Sequence, residues 1–222
     1  MLKAVLFDMD GVLFNSMPDH AECWMKAAAQ FGLAISKEDV YMNEGRTGED
    51  TITMFTRLQK GRNPWPGECA QIYAAKCKLF EAKGEPAVMA GAPDVVHLTK
   101  AAGLITGIVT GSGQKALLGR LEKNFPQCFL ENHIVSSSSC QRGKPYPDPY
   151  LLGLERVGVS AEEAVVIENA PLGVQAACAA GIRTIAVNTG GLDEKVLYDA
   201  GAAIVFPSMT ELAKHWTLNV KQ

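Results

Sequence analysis

Asp8 and Asp10 stand two residues apart at the end of a short apolar run, Ala4 to Phe7, and Gly11 follows them. Two carboxylates at that spacing can address one phosphorus atom from different positions, one attacking and one moving a proton. The plainer alternative is that they cap the helix that follows. Thr110, Gly111, Ser112 and Gly113 offer a hydroxyl and permissive backbone that can meet an anion at a helix start, or a threonine that only caps one. Lys144 is held extended by Pro145, so its ammonium can neutralise carboxylate and phosphoryl charge, or stand solvated at the surface. Glu168 ends the run Val165 to Ile167, and Asn169 comes next.

Lys3 to Asp8 reads as a buried strand closed by the Asp10-Gly11 turn. From Met17 to about Gly84 the pattern is helical. Ala21, Trp24, Met25 and Ala28 share one face and Ile52, Phe55 and Leu58 another, with one break at Pro64 to Gly67 and a return at Gly84 to Pro86. After Pro93, strands are expected at 105–110, 133–136, 164–168, 182–187 and 202–206, with helices ending near Ala102, Lys123, Val157 and Ala180 between them. Such alternation predicts an α/β fold with a parallel sheet covered on both faces. Ligands of such sheets bind beyond the carboxyl ends of the strands, where these acids and the threonine fall.

The chain has 222 residues, 47% of them hydrophobic and 20% charged, which suits a globular core and excludes wholesale disorder. A net charge of -3 provides no electrostatic footprint for nucleic acid or an anionic membrane. Six cysteines without a C-x-x-C pair, and no leader or long apolar span, predict reduced thiols and a cytoplasmic location.

Asp8-x-Asp10-Gly11-Val12, Gly143-Lys144-Pro145-x-Pro147-Asp148 and Glu168-x-x-x-x-Gly173-x-x-Ala176-Ala177-x-x-Ala180-Gly181, in this order, resemble the haloacid dehalogenase-like superfamily of phosphotransferases nearly end to end. The resemblance implies a Rossmann-like core of residues 1–15 and 86–222 and a helical cap of residues 16–85. It makes Asp8 the nucleophile that takes the phosphoryl group and Asp10 the acid/base, with Thr110, Gly111, Ser112 and Lys144 around the phosphoryl oxygens. Mg2+ is implied at Asp8, Asp10 through its carbonyl, Glu168 and Asn169, an all-oxygen set. Asn169 stands where an acid is more usual and removes one negative charge.

The insert after the first strand, with His20 and the segment Asn43 to Asp50, most resembles the β-phosphoglucomutase clade. The mutase has a lysine before the glycine of that segment and an arginine three residues after it, where this chain has Glu44 and Gly48. A carboxylate about 5 Å from a phosphate charge costs about 3 kcal/mol at an effective dielectric of about 20. Facing the metal instead, Glu44 would restore the charge that Asn169 lacks. This pair resembles an inorganic pyrophosphatase member of the clade, which implies hydrolysis of pyrophosphate to two phosphates by a monomer. Lys76 and Tyr73 share a helix face and offer contacts to the leaving phosphate, with His20 and Arg46 as further cap contacts or as packing and surface residues. A small sugar-phosphate phosphatase is the alternative, a mutase ranks third, and a silent phosphate-binding module is the reading from outside enzymes.

Overall fold

The computed structural model describes residues 1–112 and 117–216. Its sheet has six parallel strands: β1 (Ala4–Phe7), β2 (Ile105–Val109), β3 (Ile134–Val135), β4 (Ala164–Glu168), β5 (Arg183–Val187) and β6 (Ile204–Phe206). Their order is β3-β2-β1-β4-β5-β6, and Phe7 lies opposite Ile108 on one side and Ile167 on the other. The sheet grows outward from β1 in one direction through β3 and in the other from β4 onward. That reversal leaves a crevice beyond the ends of β1 and β4, and Asp8 and Glu168 stand at it.

Every residue of β1 and β4 is buried, because helices cover both faces. Alternate side chains serve alternate layers. Val5 and Phe7 pack with residues of α5 (Ala92–Ala101), α6 (Leu117–Asn124) and α10 (Met209–Lys214), whereas Ala4 and Leu6 pack with α7 (Asp148–Val157) and α8 (Pro171–Ala179). The helix α9 (Glu194–Asp199) adds Leu197 to a small cluster with Val174 and Ala186.

Between β1 and α5 lie α1 (Met17–Gln30), α2 (Lys37–Met42), α3 (Gly48–Lys60) and α4 (Glu68–Glu81), which form a hydrophobic cluster of their own from Met17 to Ile72. Entry and exit run side by side: Phe14 bridges Val88, and the Asn15 amide donates to the Ala87 carbonyl at 2.9 Å. The helical stretch is broken more often than the single expected break, since Ser36 opens α2 with a capping box and Thr47 caps α3. Met25 and Leu58 are not core residues, being 41% and 76% exposed. Leu58 is six residues beyond Ile52 and so turned about 240° around the helix, while Met25 falls at the edge of its stripe. Two six-residue helices, α9 and α10, follow β5 and β6 where the pattern predicts none. Among the described residues, no helix is long and apolar enough to cross a membrane.

Candidate active site

Lys144 is the centre of the crevice. Its ammonium donates to Asp8 Oδ1 at 2.6 Å, Glu168 Oε1 at 2.5 Å and the Val109 carbonyl at 3.1 Å, so all three hydrogens are placed. Burial alone would lower its pKa, but Asp8 and Glu168 outweigh burial and hold it well above the usual lysine range. Burial, with Glu168 and Asp10 nearby, pushes Asp8 up to about 8 against the pull of Lys144.

Asp10 moves the other way. Burial would raise it, yet His20, the Ser16 hydroxyl at 2.6 Å and Lys76 bring it to about 2. Burial lowers the pKa of His20 against the pull of Asp10. Lys76 donates to its Nδ1 at 2.8 Å, so the proton resides on Nε2, which lies 3.2 Å from Asp10 Oδ1, within ion-pair distance but off the line of a good hydrogen bond. The imidazole stacks on Phe80 with ring centroids 4.0 Å apart. Ser16 precedes α1 as a capping serine would, but its hydroxyl serves Asp10 and caps nothing. That role has no signal in the sequence.

Thr110 is buried, and its Oγ accepts from the Ser112 amide at 3.0 Å, leaving the hydroxyl hydrogen for a phosphoryl oxygen. Gly111 has a steric reason: a Cβ there would stand 3.1 Å from the Gly45 carbonyl of the cap. Gly113 lies outside the described residues. Thr189, unmarked by any sequence pattern, donates to the Gly11 carbonyl at 2.7 Å and ties down the turn after Asp10.

The cap residues of interest all line one cleft of about 700 Å³, counted to its open mouth, together with Asp8, Asp10 and Thr110. Glu44 crosses that cleft: Asn169 Nδ2 donates to its Oε2 at 3.0 Å. Burial, then Asp8, Glu168 and Asp10, push Glu44 well above the ordinary carboxylate range despite Lys144. Tyr73 fills the space over Gly48, where a Cβ would stand 2.2 Å from the ring, so the arginine position of the mutase is taken by an aromatic wall. Arg46 is half-buried and donates through Nε to Asn43 at 3.1 Å. Lys76 is buried among Trp24, Tyr73 and Phe80, while Lys78 is exposed as its helix position requires.

The donors available to Mg2+ differ from the implied set in one member. Asp8 Oδ2 and Asn169 Oδ1 are buried without a hydrogen-bond partner, as oxygens kept for a cation would be. Glu168 is instead engaged on both oxygens: Oε1 accepts from Lys144 and from Tyr150 at 3.0 Å, and Oε2 from the amides of Asn169 and Ala170 at 2.8 and 3.0 Å. In this geometry four donors occupy its two oxygens, which leaves it no free lone pair to offer a cation. Among the described residues no group of three or more acidic, histidine or cysteine side chains is arranged to hold a metal ion by itself. With Asp8, Asp10, Glu44 and Glu168 all ionised the site would carry two negative charges beyond the ammonium groups of Lys144 and Lys76; burial and mutual repulsion instead push Asp8 and Glu44 up, a cost that a bound dication would relieve. The set fits Mg2+.

A second cap contact lies at Gly190, where a Cβ would stand 2.5 Å from the Tyr41 ring of α2. Gly190→Ala is therefore expected to hinder seating of the cap and lower kcat/KM about tenfold, an order-of-magnitude expectation for misplaced substrate-positioning groups, with little change in Tm. Unchanged kcat/KM would remove Tyr41 from the closure contact.

The model of the family described as haloacid dehalogenase-like hydrolase matches residues 5–187. Hexitol phosphatase A of Escherichia coli is 31% identical over 186 residues, 84% of this chain and 83% of that protein. The phosphorylated carbohydrates phosphatase of Thermotoga maritima is 28% identical over 210 residues, 93% of this chain and 95% of that protein. A solved structure from Bacteroides vulgatus, named provisionally as a beta-phosphoglucomutase, is 48% identical, covers 100% of this chain and 91% of its own, and superposes with a TM-score of 0.95.

Proposed function

Since the chain belongs to the haloacid dehalogenase-like hydrolase family and is a phosphatase of that family, we propose that it is a Mg2+-dependent hydrolase working through an aspartyl phosphate, with inorganic pyrophosphate as its preferred substrate. One observation carries the substrate: the cap carboxylate of Glu44 lies against Asn169 at 3.0 Å. Two ionised carboxylates cannot share that distance, so asparagine at 169 is what admits Glu44. The acid missing from the core is thereby delivered by the cap, and the site has its full charge only when the cap is closed. A small leaving group permits that closure.

Asp8 attacks phosphorus through a carboxylate oxygen, and the bond to the leaving oxygen breaks. Lys144 and Thr110 hold the phosphoryl oxygens as charge moves onto them. Asp8, Asp10 and Asn169 would hold Mg2+, which when bound would offset the negative charge of the phosphoryl group. Asp10 then takes a proton from the water that cleaves the aspartyl phosphate, releasing phosphate and restoring Asp8. A carboxyl held near 2 is ionised at neutral pH and rarely carries a proton to give, which suits a phosphate leaving group better than an alkoxide.

The second reading, a small sugar-phosphate phosphatase, is favoured by the names of the relatives, since neither named phosphatase is named for pyrophosphate. The apolar cap wall of Trp24, Ile35, Val40 and Phe55 also suits a carbon skeleton. Rates on pyrophosphate and hexose phosphates separate the two readings. Glu44→Gln is expected to lower pyrophosphate hydrolysis on the order of a hundredfold and hydrolysis of small monoesters far less. Adding Asn169→Asp should recover Mg2+ affinity more than pyrophosphate turnover, a non-additive pair. Equal losses on both substrates from Glu44→Gln would put the sugar-phosphate reading first.

A further inference from the structure

Tyr150 is the largest fully buried side chain among the described residues, and its phenol donates to Glu168 Oε1 at 3.0 Å. Its position is legible as core, since Leu154 and Val157 follow it at helical spacing on the same packed face of α7. Packing alone needs only the ring. The hydroxyl reaches the oxygen that Lys144 also holds, and the Lys144 ammonium stands 5.2 Å from the ring centroid.

We propose that Tyr150 is a positioning residue for phosphoryl transfer, acting through Glu168 to hold Lys144 where it serves both Asp8 and the phosphoryl group. The Lys144 ammonium is shared between Asp8 Oδ1 and Glu168 Oε1. Glu168 is fixed on its other sides: two amides hold Oε2, and a Cβ at Gly173 would fall 1.7 Å from Oε1, so the carboxylate rests on the backbone of α8. Lys144 and Tyr150 are thus the two side chains competing for Oε1. The phenol hydrogen bond takes up part of that oxygen's charge and keeps the ammonium from being drawn wholly toward Glu168. Without it Lys144 shifts away from Asp8, and the phosphoryl group loses a donor at the moment of transfer.

This inference rests on the phosphohydrolase reading but not on the choice of substrate. Tyr150→Phe keeps the ring and removes only the hydroxyl. With Mg2+ present, kcat should fall roughly ten- to hundredfold on p-nitrophenyl phosphate and on pyrophosphate alike, with Tm close to wild type. In a Glu168→Gln background the same change should add less than about twofold, because the path through Glu168 is already broken. Calorimetric titration with inorganic phosphate should show weaker binding to Tyr150→Phe, a readout that decides the question even if pyrophosphate is not a substrate. A wild-type kcat and phosphate affinity would overturn the proposal. So would a loss that tracks a fall in Tm, or one that adds in full to Glu168→Gln, since either marks a packing role.

Discussion

Asp8→Asn is expected to abolish turnover of every phosphorylated substrate, by roughly 10⁴-fold or more as for other nucleophile deletions, while leaving the protein folded. The amide keeps an oxygen to accept from Lys144 but has no charge with which to attack phosphorus. Stability should move in the opposite direction. In the metal-free protein burial raises Asp8 to about 8, so between its ordinary range near 4 and about 8 the unfolded chain ionises this carboxyl while the folded chain resists. That lowers the stability of the wild type progressively as pH rises through this window. Asp8→Asn removes the effect, so without metal its Tm should match the wild type near pH 4 and exceed it near pH 8. Rates on the substrate panel and melting curves across pH, with the substituted amide verified by mass spectrometry, test both parts. Full hydrolysis by the intact variant would end the aspartyl-phosphate mechanism.

Lys144→Met should do damage of both kinds. The ammonium lies between two carboxylates in a pocket where its own side chain is 2% exposed. Removing one member of a buried ionic network typically costs about 3–5 kcal/mol, because the remaining charges are left without compensation. Asp8 and Glu168 would be that remainder. Activity should fall on the order of 10³-fold, since a preorganised donor to the transferred phosphoryl group is gone. Mg2+ should return part of the lost stability, because a dication supplies positive charge near the same carboxylates. Denaturant titrations with and without Mg2+, beside kcat, measure each effect. A stability loss below about 1 kcal/mol, the range of exposed ion pairs, would show that Lys144 is not the hub described.

The sequence by itself determined the sheet and its chemical edge. Short apolar runs that stop at Asp8, Thr110 and Glu168 mark strand ends through local pattern alone, and the strands lie where that pattern predicts them within one or two residues. The capping signals of the six-residue helices, Ser36 before Asp39 and Ser208 before Glu211, were also present in the sequence. Their apolar pattern is too short to separate from a loop, which is why the pattern does not resolve α2 within the helical stretch and marks neither α9 nor α10. Exposure of Leu58 shows the same limit, since a three-residue spacing kept too long rotates off the face.

Tertiary structure alone decided which side chains meet. Glu44 and Asn169 are 125 residues apart and Lys144 and Asp8 are 136 apart. Residue types suggested that Glu44 should avoid phosphate and face the metal edge, but only the packing of cap on core places its carboxylate against the Asn169 amide. Glu168 is the clearest revision. Its type and strand-end position fit a metal ligand, yet the fold surrounds it with four donors, and a carboxylate oxygen has only so many lone pairs. Local sequence encodes the direction and period of a segment, whereas the occupancy of a lone pair is set by groups from distant segments that the fold brings within 3 Å.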